Sequence, residues 1–389
     1  MLAGRSGIRR IASFDAAGCG SQVAGEVRDF VPEDFLARRE VQAFSRYLHL
    51  GVAAARLAWD DAGRPARSFD SDRVGVCIGS SVGAISRNVS DGIVFAEKGL
   101  GRMHPMAPVQ YPGSLPSEVA ITLGFHGPAY AISTACTAGA DALGITFAQI
   151  ASGVIDAALV GGSEAPIFPA LFSGFDRLQV LSRLNEPAER ASRPFSRDRN
   201  GFVLSEGAGM LVLEAEDIAR ERGARIYARL AGFGATCDAY HHLRPAHDGI
   251  QGARAVELAL ANAEVAPAQV DYINAHGTGT LENDAVETMI IKRVFGERAY
   301  RIPVSSTKSM LGHLIGASAA VECIIGALAL YHGVVPPTLH LTEPDPMCDL
   351  DYVTDGPRPM PLRTVLSTSF GFGARNAALV LCDAASRGD

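Results

Sequence analysis

One passage of this chain occurs twice, and that repeat limits the folds open to it. The first copy runs from the helix-like HLGVAAARLAWDDAG into the strand-like DRVGVCIGSS. The second runs from GARAVELALANAEV into VDYINAHGTGT. Each copy is followed by a polar corner where a strand gives way to a helix, AISTACTAGADALG in the first and PVSSTKSMLGHLIGA in the second. Such a plan predicts two related α/β halves, residues 1–215 and 216–389, with corresponding loops at one end of a shared core. The strand-like runs RVGVCIGSS, AYAIST, DAALVGGS, GMLVLE, QVDYINAHG, RIPVSST and AALVLC are largely apolar. That is the pattern of strands covered on both faces. With 48% apolar residues in 389, the chain can fill such a core.

Charge and cysteine usage narrow the function. A net charge of −7 lacks the basic footprint that nucleic acid requires. No apolar run is long and unbroken enough to predict a membrane span, and the start lacks a charged-then-apolar leader pattern. The seven cysteines are scattered and form no CxxC pair, which suits a reducing compartment. The expectation is a soluble cytoplasmic protein.

Three reactive side chains stand in glycine-rich turns. Cys136, in TACTAGADALG, falls where the short strand AYAIST turns into a helix predicted to stop at Gly153. Backbone N–H groups at a helix start favour a thiolate. His276 follows the strand VDYINA directly, and His313 opens a helix in STKSMLGHLIGASAA. A Cys/His/His set could bind zinc, but these spacings match no local zinc pattern and supply only three ligands. Nucleophilic catalysis, with a thiolate and partners that handle protons or oxyanion charge, fits better, and no metal is expected. Glu322 lies in the apolar helix IGASAAVECIIGALAL, where an unpaired charge is costly, so a buried partner is predicted. Asp284 and Glu287, in NDAVE, read as a helix N-cap and its N3 partner.

The ordered motifs TACTAG, NAHGTGT, SSTKSMLGH and SFGFG, with ASRPFSRDRNGFVLSEGAGMLVLE and VPPTLH, resemble the β-ketoacyl-[acyl-carrier-protein] synthases, the condensing enzymes of thiolase fold. The likeness spans nearly the whole chain and is closest to the elongating enzymes of dissociated fatty-acid systems. It implies a layered αβαβα core. It also implies a decarboxylative condensation of an acyl thioester with malonyl-acyl carrier protein, giving 3-oxoacyl-acyl carrier protein in fatty-acid or dissociated polyketide synthesis. By this resemblance Cys136 accepts the acyl chain. His276 and His313 donate hydrogen bonds to the enolate of malonyl decarboxylation, and serve that step more than acyl loading. The backbone N–H groups of Cys136 and Phe372 form the oxyanion hole, and Phe372 is also the gate. Lys308 and Glu322 form a charged pair supporting the second histidine. Thr278 and Thr280 meet the phosphopantetheine arm, which arrives on the carrier protein, so no cofactor is expected. Val82, in GSSVGA, aligns with a pocket-floor position. The implied partners are an acyl carrier protein and acyl and malonyl thioesters, in a homodimer or a heterodimer with a ketosynthase-like partner.

The chain departs from the pattern in two places. The family's GFGGxN gate reads GFGARN here, with Ala374 and Arg375, and the basic positions before Phe44 read Glu40 and Ala43. Arg38, Arg39, Arg46 and Arg197 remain as docking candidates for an acidic carrier protein. The repeat also raises an expectation about the start. RIYARLAGFGAT precedes the helix of the second copy, whereas MLAGRSGIRRIA offers no comparable strand before the first. A missing central strand predicts a start codon upstream of Met1, or a poorly soluble form. The alternative function is a non-catalytic chain-length partner of a ketosynthase, but such partners lack the nucleophile. A degradative thiolase is disfavoured because Cys382 follows a strand and is not in a glycine turn.

Overall fold

The computed structural model describes residues 1–65, 69–102 and 104–384. A short ribbon, β1 (Arg9–Arg10) with β2 (Val23–Ala24), precedes the first large sheet. The strands that follow are β3 (Val74–Gly79), β4 (Ala129–Ile132), β5 (Ala157–Glu164) and β6 (Gly207–Glu214). They form one sheet in the order β4-β3-β5-β6. Next come β7 (Arg229–Cys237), β8 (Tyr272–Asn274), β9 (Val304–Ser305), β10 (Val334–Val335), β11 (Arg358–Pro359), β12 (Thr364–Gly371) and β13 (Arg375–Cys382). Five of these make a second sheet in the order β7-β13-β12-β8-β9, and β10 pairs with β11 as a separate ribbon.

The helices are α1 (Arg38–Ala43), α2 (Arg46–Asp61), α3 (Ile85–Lys98), α4 (Ser114–Leu123), α5 (Ala138–Ala151), α6 (Pro169–Arg177), α7 (Glu216–Glu221), α8 (Ile250–Asn262), α9 (Leu281–Phe295), α10 (Lys308–Leu311) and α11 (Ser318–His332). Helices α2 and α4 cover the outer face of the first sheet, and α8 covers that of the second. Between the sheets lie α5 and α11, each touching both, so the core is five layers of αβαβα. The two central helices can lie this close because they are built of small residues. A Cβ on Gly139 of α5 would stand 2.7 Å from the backbone nitrogen of Ala320 in α11. By length and composition Ile315–His332 could cross a membrane, yet most of it is buried inside this core.

Two readings of single strands need correction. β4 is an exposed sheet edge, with Tyr130 43% accessible, rather than a buried strand. β12, central and almost fully buried, is missing from the strand-like runs because Ser367, Thr368 and Ser369 make it look polar.

Candidate active site

The repeat is visible at the site itself. After β4 the chain makes a single 3-10 turn, Ala135–Thr137, and enters α5. Before α11 it makes the same turn, Ile315–Ala317. The first residue of each turn is left-handed, Ala135 at φ +56° and Ile315 at φ +48°. Non-glycine residues pay a steric cost there, which the surrounding packing must hold in place. Cys136 occupies the second position of one turn and Gly316 that of the other.

These corners bring the three reactive groups together. Cys136, His276 and His313 are all buried, and their ligand atoms lie within 4.8 Å of one another. His313 Nε2 is 3.1 Å from Cys136 Sγ. The ring's other nitrogen, Nδ1, faces the Ile315 N–H at 3.3 Å and the Ser318 hydroxyl at 2.8 Å. Ser318 Oγ already accepts the Leu314 N–H, which leaves its proton for Nδ1. The network therefore assigns the proton of neutral His313 to Nε2, pointing at the sulfur as a donor.

The electrostatics differ from the expectation at Cys136. Burial pushes its thiol up to about 11, against the Phe372 N–H and the charge of Lys308, which pull it down. The resting group is thus a thiol. The helix-start rule considers only local backbone, whereas here the desolvating side chains Phe172, Leu181, Phe202, Leu204 and Ile315 come from other parts of the chain. Burial also holds both histidines well below 6.5, with Lys308 adding to it in each case. Both imidazoles are neutral.

The charged pair is present but is placed differently from the expectation. Lys308 Nζ, buried, binds Glu322 and donates to the carbonyl oxygen of His276 at 2.6 Å. Its hydrogen bond supports the first histidine rather than the second. Asp284 and Glu287 are not a cap and its N3 partner. Helix α9 starts at Leu281, and both carboxylates reach back from inside it. Glu287 accepts the N–H groups of His276 and Gly277, each at 2.7 Å, and the Thr368 hydroxyl. Asp284 accepts those of Phe195 and Gly279 and faces Arg199 at 3.4 Å. They hold the turn that carries His276, a role the local spacing in NDAVE concealed.

Sequence reading also missed Glu164, at the end of β5. It is fully buried and accepts from the Ser80 hydroxyl and from the N–H groups of Ser81, Val82 and Gly316. Val82 stands on this tether after β3. Thr278 and Thr280 lie beside His276, with their hydroxyls 2.9 Å apart. Phe372 packs against the cluster around Cys136. Of the docking arginines, Arg46 is engaged by Glu206 at 2.6 Å and Arg197 by Glu343 at 2.7 Å, while Arg38 and Arg39 are exposed. Glu40 caps α1 by accepting the Ala37 N–H at 2.8 Å.

Comparison with known proteins agrees with this geometry. The family description "Beta-ketoacyl synthase, N-terminal domain" matches residues 1–219, and "Beta-ketoacyl synthase, C-terminal domain" matches 227–342. A 3-oxoacyl-[acyl-carrier-protein] synthase 2 of Synechocystis sp. is 41% identical over 380 residues, covering 97% of this chain and 91% of that protein. The ishigamide ketosynthase/chain length factor structure superposes with a TM-score of 0.90 at 35% identity, covering 100% of this chain and 93% of that one. A type II polyketide ketosynthase, solved with its acyl carrier protein and bound to a hexaketide, gives 0.88 at 34% identity, covering 98% and 93%. With a buried Cys–His–His cluster at the meeting of two repeated corners, and relatives of this kind over almost its full length, the chain belongs to the β-ketoacyl synthase family.

Proposed function

We propose that this chain is a β-ketoacyl-[acyl-carrier-protein] synthase that condenses an acyl group on Cys136 with a malonyl group on a carrier protein. The observation that carries this reading is the 3.1 Å contact between Cys136 Sγ and a neutral His313 whose Nε2 bears the proton. In the first half-reaction the Cys136 sulfur attacks the thioester carbonyl. The carrier thiol leaves with the proton the sulfur gives up. The Cys136 and Phe372 N–H groups face the developing oxyanion. In the second, the malonyl carboxylate leaves as carbon dioxide. Its electron pair becomes an enolate whose oxygen accepts hydrogen bonds from His276 and His313. The enolate carbon then attacks the acyl-cysteine, giving a 3-oxoacyl thioester, and the sulfur departs as a thiolate that takes up a proton from solvent to restore the resting thiol. Two neutral imidazoles suit this task because they can donate without first losing a proton. The same three groups could enclose a metal ion, but the reaction as written requires none. Thr278 and Thr280 would meet the pantetheine arm, and Val82 would bear on acyl length.

The free edge of β4 supports a dimer, since an unpaired strand is a ready site for pairing with a second subunit. That subunit is a second copy, or a ketosynthase-like partner as in the ketosynthase/chain length factor complex. An acyl carrier protein is the proposed substrate carrier, with exposed Arg38 and Arg39 as docking groups. Free cysteines throughout the described residues, exposed Cys237 included, fit a cytoplasmic setting. The test is intact mass after incubation with a panel of acyl carrier proteins. An acyl adduct should form on the native protein and be absent from Cys136→Ala, which exchanges one small residue for another. An adduct on the variant would refute the assignment.

A further inference from the structure

Cys136 is only 6% exposed, and the cover over it includes a turn with unusual fastenings. The hairpin between β12 and β13 turns through Phe372, Gly373 and Ala374, with Gly373 at φ +84° and Ala374 at φ +63°. Phe372 packs on the cluster around the sulfur. An acyl chain that reached Cys136 past Phe372 would have to move this turn. On one side Gly373 N–H donates to the His242 carbonyl at 2.8 Å, Asp238 N–H donates to the Ala374 carbonyl at 2.7 Å, and the Cys237 thiol faces the Gly373 carbonyl at 3.9 Å. On the other side the Phe372 N–H faces the Cys136 sulfur, and one long side chain reaches across. Arg375 Nη1 donates to the carbonyl oxygen of Ser133, 3.2 Å away, at the end of the segment that delivers Cys136. The half-buried carboxylate of Asp141, bound to the hydroxyls of Thr134 and Thr137, lies within the field of the same guanidinium.

We infer that Arg375 is a latch joining the covering turn to the nucleophile corner, and that it sets how readily long acyl chains reach Cys136. The inference rests on Cys136 being the acyl acceptor. A guanidinium suits the role because it stays charged, and its hydrogen bond to a carbonyl is stronger than a neutral one. Because Arg375 is the first residue of β13, release of Ser133 frees the turn without breaking the hairpin. Arg375 is therefore a positioning residue, and its effect should grow with the length of the chain that must pass.

The test uses the full chain with Arg375→Ala and Arg375→Lys, and Arg375→Gln if the alanine variant is not recovered folded. Each is treated with iodoacetamide and with the bulkier N-phenylmaleimide, and adducts are followed on the separate peptides carrying Cys136 and Cys348, a free thiol buried in another core cluster. Loss of the latch should raise the Cys136 rate with N-phenylmaleimide about tenfold, as removal of one charge-assisted hydrogen bond allows. The Cys348 rate should not change, and the lysine variant should fall between. An unchanged Cys136 rate overturns the latch, and so does an equal rise at Cys348, which would mean general loosening. Loading from acyl carrier proteins gives the second readout. The gain should be larger for long chains than for short ones, and a gain independent of length overturns the inference. If Cys136 is not the acyl acceptor, no acyl adduct forms on it at all, while the alkylation rates still report the latch.

Discussion

The carbonyl oxygen of His276 accepts a hydrogen bond from Lys308 Nζ at 2.6 Å, and the same ammonium neutralises the buried Glu322. One cation thus fixes the turn that carries His276 and compensates a charge in an apolar helix. Lys308→Ala should cost about 3–5 kcal/mol, because Glu322 is left buried and unpaired. The double variant Lys308→Met with Glu322→Leu should recover most of that stability. It should not recover malonyl decarboxylation, since His276 still lacks its donor. Denaturant melts and a decarboxylation assay on the three variants check both halves. Recovered activity in the double variant would show that Lys308 is only structural.

The two histidines should part company in chemistry at the thiol. His313 donates to Cys136 Sγ, so His313→Ala should slow iodoacetamide alkylation of Cys136 as well as decarboxylation. His276 makes no such contact, so His276→Ala should spare alkylation and lose decarboxylation. The family resemblance implies that both serve decarboxylation more than acyl loading, and the 3.1 Å contact gives His313 a further bearing on the thiol. Equal alkylation rates in the two variants would contradict the division.

Glu287 should leave a mark on the pH dependence of stability. Burial pushes its carboxyl from 4.5 up to about 7, ahead of the hydrogen bonds that pull it down. Between those values the native protein holds a proton that the unfolded chain releases, so stability falls as pH rises through the window. Relative to Glu287→Gln, the native protein should lose stability from about pH 4.5 to 7 and run parallel above and below. Melting temperatures of the two proteins across this range decide it. Parallel curves throughout would mean that Glu287 does not titrate in that window.

A pair of glycine substitutions tests the closeness of the central helices. Gly139→Ala drives a methyl to 2.7 Å from the Ala320 nitrogen and should cost about 1–3 kcal/mol. Because Gly139 lies three residues beyond Cys136, kcat should fall as well. Gly92→Ala, on α3 with no neighbour within 4 Å, should instead gain about 0.5–1 kcal/mol and leave kcat alone. Chemical melts and steady-state rates of the two variants give the comparison.

Much of this was legible in the sequence because the local signals agree with one another. The repeated helix-then-strand passages appear as α2–β3 and α8–β8. The three reactive residues stood out because each sits in a turn of small residues after or near a strand. What stayed hidden depends on distant parts of the chain. Cys136 is a resting thiol because side chains far from it in sequence exclude water. Asp284 and Glu287 fit a capping pattern by spacing, yet their partners are the N–H groups of the turn at residues 276–279 and of distant Phe195. β12 looked polar because Thr368 serves Glu287. Glu164 carried no signal at all, since a lone glutamate after a strand reads like any other until its four donors are seen together.

That glutamate also bears on how such proteins can be recombined. It belongs to the first half, yet one of its four donors, Gly316, belongs to the second and follows His313 by three residues. A chimaera cut between the halves would keep every residue of each catalytic motif and still separate this carboxylate from the corner it was selected to hold. Grafting therefore has an unwritten compatibility rule: the donor half must present a backbone N–H at the Gly316 position, with no side chain there to fill the carboxylate's place. Chimaeras that break this rule should bury an uncompensated anion beside their own active site, however well their motifs align.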